Sequence, residues 1–133
     1  MLQKELKRSD IIYPELSYKI VGSLFSVYNE IGPGHHEKYY QRAVAKALID
    51  SGLKFKEQFF IPLEFHGEII GKNFFDFLIE DKIILEIKKD NRFSKRHVDQ
   101  VNRYLKLSGK QLALLANFDK NGVICKRFVN IKK

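Results

Sequence analysis

The stretch Asn73-Phe-Phe-Asp-Phe-Leu-Ile-Glu-Asp-Lys-Ile-Ile-Leu-Glu-Ile-Lys-Lys89 decides the fold of this chain. Two apolar runs flank a short polar turn at residues 80–81, a pattern typical of a β-hairpin. Charged side chains interrupt these runs at Asp76, Glu86 and Lys88. An ionised carboxylate is costly inside an apolar strand unless it is paired or bound to a metal. The hairpin therefore predicts a divalent-metal site built from these residues.

The register of the hairpin determines whether the two acids meet. A two-residue loop would place Asp76 opposite Leu85, with the two carboxylates on opposite faces of the sheet. A three-residue loop at residues 80–82 places Asp76 directly opposite Glu86, with their Cα atoms roughly 4.5–5.5 Å apart. We predict the three-residue loop, or a bulge with the same effect. The alternative is an ordinary hairpin with a solvent-facing aspartate and a common Glu/Lys pair.

Composition indicates one folded domain spanning residues 1–133, because 44% of the residues are hydrophobic and 13% are aromatic. Residues 1 to about 9 are polar and are expected to fray. Cys125 is the single cysteine, which excludes an internal disulfide and a cysteine-based zinc site. No apolar run reaches transmembrane length and no signal-peptide core is visible. These features predict a cytoplasmic protein that does not enter the membrane.

Net charge is +8, from 24 basic and 16 acidic residues. This balance suits a polyanionic partner such as nucleic acid. A genome biased toward lysine codons is the alternative explanation. Local clustering favours the nucleic-acid interpretation, and the clustered residues are Lys88, Lys89, Arg92, Lys95 and Arg96, with Lys126, Arg127, Lys132 and Lys133 near the end of the chain.

Two helices are predicted before the hairpin, from about Pro14 to Ile31 and from about His36 to Ser51. A Gly-Pro-Gly sequence at residues 32–34 separates them. Glu37 lies at the N-terminal end of the core-facing stripe of the second helix, an unusual place for an acid. Its ordinary explanation is a favourable interaction with the helix dipole.

Residues 53–65 alternate as a strand, with every second residue from Phe55 to Phe65 on one face and Pro62 indicating an edge or a bulge. A third helix is predicted from about Lys95 to Leu107, with Ser94 as its N-cap. Strands at residues 111–117 and 122–129 complete the chain. A strand, a helix and a second strand in this order predict a parallel crossover. We therefore expect an α/β sandwich with a central mixed β-sheet flanked by helices.

The third helix has three predicted faces. Its core stripe contains Val98, Val101 and Leu105, and a charged face lies opposite. Between these faces lie His97, Gln100 and Tyr104, which are boundary positions by default.

The order of these motifs resembles a known family. Gly34-His-His-Glu37-Lys-Tyr-Tyr40 matches the signature of the GxxExxY family. Asp76 followed by Glu86-Ile87-Lys88 resembles the D…(D/E)xK core of the PD-(D/E)xK nuclease superfamily, and Gln100-Val-Asn-Arg-Tyr104 resembles its glutamine-bearing helix. The resemblance runs from about Ile12 to Asn117. It departs from the pattern at Phe75, where the superfamily name implies proline.

This resemblance implies a restriction-endonuclease-like α/β sandwich and a Mg²⁺- or Mn²⁺-dependent nuclease acting on DNA or RNA. Asp76 and Glu86 would hold one or two metal ions, with the Ile87 carbonyl as a further ligand. Lys88 would orient the attacking water or stabilise charge on the phosphate. Glu37 would complete the metal site or support its ligands.

The resemblance also assigns residues of the third helix and of the basic cluster. Gln100 would contact the water or the phosphate backbone, with support from Tyr104. Nucleic acid would be bound by Lys89, Arg92, Lys95, Arg96 and Tyr104. Two alternatives remain open, a nuclease fold that binds nucleic acid with little or no cleavage, and an interaction module that forms a homodimer.

Overall fold

The computed structural model describes residues 12–90 and 93–130. Its elements, in chain order, are α1 (Pro14–Ile31), α2 (Glu37–Asp50), β1 (Phe55–Phe65), β2 (Glu68–Ile79), β3 (Ile83–Lys88), α3 (Lys95–Ser108), β4 (Leu112–Asp119) and β5 (Gly122–Val129). Every predicted helix and strand is present, and the ends match or differ by one or two residues, except that β2 begins at Glu68, five residues before the predicted hairpin. The segment expected to fray lies outside the described residues, as does Arg92.

The five strands form one mixed sheet in the order β1-β2-β3-β4-β5. Strands β3 and β4 are parallel and every other neighbouring pair is antiparallel. Helix α3 joins the parallel pair, which confirms the predicted crossover. β1 is an edge strand that contains Pro62, and its pairing with β2 shifts between Leu63 and Glu64. Both features were expected from the proline.

Helices cover both faces of the sheet, as the α/β sandwich requires. On one face, α1 and α2 pack against the sheet through Ile20, Leu24, Val44 and Leu48, which are fully buried. On the other face, α3 packs through Val101, Tyr104 and Leu105. These two cores fix the position of the sheet between the helices, because close-packed interiors resist sliding.

The central hairpin has the predicted three-residue loop. Phe77 lies opposite Leu85 and Ile79 lies opposite Ile83, so the loop comprises residues 80–82. The backbone adopts positive φ at residues 80 and 81, and the N–H of Lys82 donates to the Ile79 carbonyl at 2.9 Å. Two positive φ angles at the centre of a turn suit the right-handed twist of a hairpin. Continuing this register places Asp76 opposite Glu86.

The predicted single face of β1 is wrong. Phe55 packs with the α1 and α2 core, whereas Phe59 and Ile61 pack with the α3 core. The cause lies between them, where Gln58 has a left-handed backbone with φ of 48°. A left-handed residue turns the chain and resets the alternation of side chains. This break lies opposite Asp76, since the flanking pairs join residues 57 with 77 and 59 with 75.

Tyr40 fixes the start of α2 against the sheet. Its ring is buried and stacks on Phe118 of β4 with a centroid separation of 4.3 Å. Its hydroxyl donates to the Gly32 carbonyl at 2.6 Å, which ties the loop between α1 and α2 to the core. Because Glu37 is one turn earlier on the same helix, this contact also determines where that acid lies.

We expect Tyr40→Phe to lower the free energy of unfolding by about 1–2 kcal/mol, because the Gly32 carbonyl loses its donor in a partly buried loop. Chemical denaturation measures this change. Tyr39→Phe is the matched control, since the Tyr39 side chain is largely exposed. Equal stabilities for the two variants would contradict the anchoring role of the Tyr40 hydroxyl.

Candidate active site

The fork between β2 and β3, formed by Asp76 and residues 86–88, brings the two acids together. The paired ladder between these strands ends at Phe77 and Leu85. Beyond it, the N–H of Asp76 donates to Glu86 Oε1 at 2.9 Å, and the N–H of Ile87 donates to Asp76 Oδ2 at 2.8 Å. Each carboxylate thus accepts a backbone N–H from the opposite strand. Both acids are held inside the β2–β3 fork and do not point to opposite faces.

Burial changes the ionisation of both acids. Asp76 is 8% exposed and Glu86 is 4% exposed. Loss of solvation raises the pKa of both carboxyl groups, and that of Glu86 rises to about 8 because the charge of Asp76 adds to the effect of burial. The backbone hydrogen bonds and the charge of Lys88 oppose this rise. Burying two neighbouring carboxylates in their charged form is unfavourable, and a cation bound between them would remove this penalty.

Lys88 extends from the same strand face as Glu86. Its Nζ lies 3.8 Å from Glu86 Oε2, and its side chain is mostly buried. This separation exceeds a hydrogen bond, so the contact is an ion pair without a fixed direction. The pKa values of Asp76 and Glu37 are raised by burial, and the charge of Lys88 opposes this rise in both groups. The lysine therefore lies within the electrostatic field of all three acids.

Two glutamines hold the Asp76 carboxylate from the side opposite Ile87. Gln41 Nε2 donates to Asp76 Oδ1 at 3.2 Å, and Gln58 Nε2 donates to the same oxygen at 3.4 Å. Sequence reasoning gave neither residue a role. Gln41 had a detectable signal, because it follows Glu37 by one helical turn. Gln58 had none, since its left-handed backbone is not evident from residue type.

Glu37 is connected to the site through Gln41, whose Nε2 lies 3.5 Å from Glu37 Oε2. Burial raises the Glu37 pKa, and the charges of Asp76 and Asp90 raise it further. Among residues 12–90 and 93–130, no group of three or more acids, histidines or cysteines is placed to hold a metal ion. Glu37 thus contacts the glutamine that holds Asp76, and both of its predicted roles in the metal site stay predictions.

Tyr104 is buried, which corrects its predicted boundary position, whereas its predicted contact with nucleic acid stays a prediction. Its hydroxyl donates to the Phe74 carbonyl at 2.9 Å. Burial raises the Tyr104 pKa to about 12, with a further contribution from the charge of Glu86. Tyr104 thus fastens α3 to β2 beside the acids, and Gln100 is partly buried next to it.

A second polar cluster, formed by Asp90, His97 and Asn117, was not predicted. Asn117 Nδ2 donates to the Asp90 carbonyl at 2.7 Å, and the N–H of Asp90 donates to Asn117 Oδ1 at 2.9 Å. His97 Nε2 lies 3.2 Å from Asp90 Oδ2. His97 is buried where a boundary position was expected, and its backbone N–H donates to the side chain of Ser94, the N-cap of α3.

The basic residues of the predicted nucleic-acid surface lie at the end of β3 and the start of α3. Lys89, Lys95 and Arg96 are exposed. Lys95 forms an ion pair with Asp99 at 3.1 Å, which is worth little at a solvated helix surface. Arg92 lies outside the described residues. Of the three described cations, Lys89 directly follows the last residue of β3 and Lys95 and Arg96 begin α3.

A mixed sheet with two buried acids and a lysine at one fork defines a nuclease-type fold and site. The chain belongs to the PD-(D/E)XK nuclease superfamily, whose family model matches residues 14–128. The predicted membership of this superfamily is confirmed. Its nucleases generally use divalent metal ions. No curated protein matches this chain.

Solved structures support the same fold. The crystal structure of SSO0001 is similar with a TM-score of 0.56 and 14% identity, over 72% of this chain and 50% of that one. The crystal structure of an alkaline exonuclease, LHK-Exo from Laribacter hongkongensis, is similar with a TM-score of 0.52 and 18% identity, over 71% of this chain and 55% of that one. Its complex with dAMP matches equally well, over 54% of that chain.

This chain spans about half the length of those structures. Similarity at this level of identity shows the fold, and it confirms the restriction-endonuclease-like α/β sandwich. Within the described part of the chain, no helix is long and apolar enough to cross a membrane.

Without metal, we expect the free energy of unfolding to fall by about 2–4 kcal/mol between pH 5 and pH 9. The pKa of Glu86 rises from 4.5 to about 8 in the fold, so its protonated form stabilises the native state. That contribution is complete below about pH 4.5 and is lost as the pH rises through about 8. Urea titrations across this range, with EDTA present, measure the change.

Glu86→Gln should remove most of this pH dependence, whereas Glu64→Gln, which changes an exposed acid of β1, should keep it. Millimolar Mg²⁺ at pH 9 should restore stability to the wild type and not to Glu86→Gln. The same pH profile for wild type and Glu86→Gln would show that burial of this acid does not control stability.

Proposed function

We propose that this chain is a Mg²⁺- or Mn²⁺-dependent nuclease that hydrolyses phosphodiester bonds in nucleic acid. The observation that carries the proposal is the reciprocal clamping of Asp76 and Glu86 in the β2–β3 fork, with Lys88 beside them. A protein that only binds nucleic acid gains nothing from two buried acids close to a phosphate. Metal-dependent catalysis explains why two acids lie together here, because a bound metal ion would attract both carboxylates and offset their mutual repulsion.

The residues fit a hard divalent cation. Asp76 accepts three hydrogen bonds and Glu86 accepts one, whereas a carboxylate can accept about four. Both acids therefore retain lone pairs, and carboxylate oxygens are the ligands that Mg²⁺ prefers. The Ile87 N–H points toward β2. In an extended strand the N–H and the carbonyl of one residue point to the same side, so the Ile87 carbonyl also points toward β2. This direction supports the Ile87 carbonyl as a further ligand.

The bound ion would supply an activated water and would stabilise charge on the phosphate. Lys88, from the same strand face as Glu86, places a positive charge where the phosphate oxygens would gather. Gln41 and Gln58 hold the Asp76 carboxylate in one orientation, and Glu37 keeps the Gln41 amide turned toward it. Such prior orientation reduces the reorganisation needed during reaction.

The substrate is proposed from charge and from the similar structures. Lys89, at the end of β3, and Lys95 and Arg96, at the start of α3, are solvent-exposed, and they would contact the phosphate backbone. LHK-Exo is an alkaline exonuclease that has been crystallised with dAMP. These observations favour DNA or RNA as the partner and leave the choice between them to experiment.

The GxxExxY subtype is part of this proposal, because each residue of the motif has a physical role here. Gly34 has φ of 92°, a conformation that favours glycine. Glu37 supports Gln41 beside Asp76, and Tyr40 anchors α2 to β4. The motif thus brings the start of α2 to the acid site. A homodimeric interaction module stays the alternative prediction, as does a fold that binds nucleic acid without cleavage.

Cleavage of labelled single-stranded and double-stranded DNA and RNA with Mn²⁺ or Mg²⁺ tests the function. We expect Asp76→Asn, Glu86→Gln and Lys88→Ala each to lower the rate by at least about 100-fold, because each removes charge at the reacting phosphate. Lys46→Ala should be unaffected, since Lys46 pairs with Asp50 on the exposed face of α2.

EDTA should abolish cleavage by the wild type. Equal rates for the wild type and all three site variants would assign the activity to a contaminant. Binding of nucleic acid without cleavage by any of these proteins would favour the alternative of a binding module.

A further inference from the structure

His97 lies at the centre of a polar cluster, with the buried Asn117 and the exposed Asp90, that the proposed mechanism does not use. Asn117 is 1% exposed, and both the oxygen and the nitrogen of its side-chain amide form hydrogen bonds with the backbone of Asp90. That double contact fixes the residue just after β3. Asp90 in turn places its Oδ2 3.2 Å from His97 Nε2, and the N–H of His97 donates to the Ser94 hydroxyl. The ring of His97 is therefore held in one orientation.

The other nitrogen of this ring is the unusual atom. His97 is 8% exposed, and its Nδ1 is buried with no hydrogen-bond partner in the described part of the chain. Burial and the nearby charge of Lys88 lower the His97 pKa against the opposing charge of Asp90, which favours the neutral ring. A neutral ring whose protonated Nε2 faces Asp90 Oδ2 presents an acceptor lone pair at Nδ1. A buried acceptor without a donor is costly and indicates a partner that is not always present.

Of the cations near His97, Lys88 is the one whose charge acts most strongly on the ring. It follows Glu86 on the strand face that α3 covers, and it occupies the β3 position paired with Asn117. Its ammonium is held only loosely, at 3.8 Å from Glu86 Oε2. A metal ion on Glu86 would compete with Lys88 for that carboxylate, because both are cations. The ammonium then needs another acceptor within reach.

We propose that His97 is a positioning residue for Lys88, with His97 Nδ1 as the acceptor that fixes the lysine ammonium during catalysis. This inference rests on the proposed nuclease function. Asn117 and Asp90 hold the histidine, and the histidine holds the lysine. The cluster thereby connects β4, the end of β3 and the start of α3 to the group that faces the phosphate.

Two substitutions separate this role from a merely structural one. In His97→Asn the side-chain amide occupies the position of Nδ1 and cannot reach Asp90. In His97→Gln the amide reaches the position of Nε2 and can bond Asp90, while the Nδ1 acceptor is lost. We expect the single-turnover cleavage rate to fall about tenfold in His97→Gln and clearly less in His97→Asn, with KM unchanged in both.

A slower rate for His97→Asn than for His97→Gln would overturn the inference, because the contact with Asp90 would then matter more than the Nδ1 acceptor. Equal rates for the two variants would overturn it as well. Circular dichroism and thermal unfolding of both variants report their folding. A drop in stability for His97→Asn with its rate preserved is expected, since that variant gives up the Asp90 contact.

A double-mutant cycle with Lys88→Ala provides the second test. If His97 acts through Lys88, adding His97→Gln to Lys88→Ala should change the rate by less than about twofold. An additive tenfold loss would overturn the inference and leave the nuclease function standing. Absence of metal-dependent cleavage in the wild type would instead overturn the proposed function, and this inference with it.

Discussion

Two hydrogen bonds between backbone and carboxylate hold the β2–β3 fork, and the site depends on them. In a regular antiparallel ladder, N–H groups that face the neighbouring strand are joined to its carbonyls. Here the carboxylates of Glu86 and Asp76 accept the N–H groups of Asp76 and Ile87. The strands can therefore separate without leaving buried donors unsatisfied. The same bonds bring two acids into a buried space, where a cation relieves their repulsion.

The surrounding elements serve to keep this fork in place. On one side, Tyr40 anchors the start of α2 to β4, so that Gln41 reaches Asp76. On the other side, Tyr104 fastens α3 to the Phe74 carbonyl next to Asp76. Each anchor is a buried aromatic ring with one hydrogen-bonded hydroxyl, an arrangement that combines apolar packing with a fixed direction. The acids are thus oriented by rigid elements and not by loops.

Much of this structure was predictable from sequence periodicity. Helix and strand positions, the mixed sheet and the three-residue hairpin loop followed from apolar spacing and turn residues. The meeting of Asp76 and Glu86 followed from that loop, because register alone sets which side chains face each other. Sequence did not predict the alternation break at Gln58, since no residue type requires a left-handed backbone there. It also missed His97 as a buried residue, because capping geometry determines which way the first turn of α3 faces.

The proposed function depends on Asp76 and Glu86 together holding one or two divalent ions. Crystals of the protein soaked in Mn²⁺ and measured by anomalous scattering test it most directly. We expect a single strong peak, or two close ones, in contact with carboxylate oxygens of both residues, and its loss in Asp76→Asn. An ordered fork with no anomalous peak at saturating Mn²⁺, or a peak bound by other residues alone, would contradict the account.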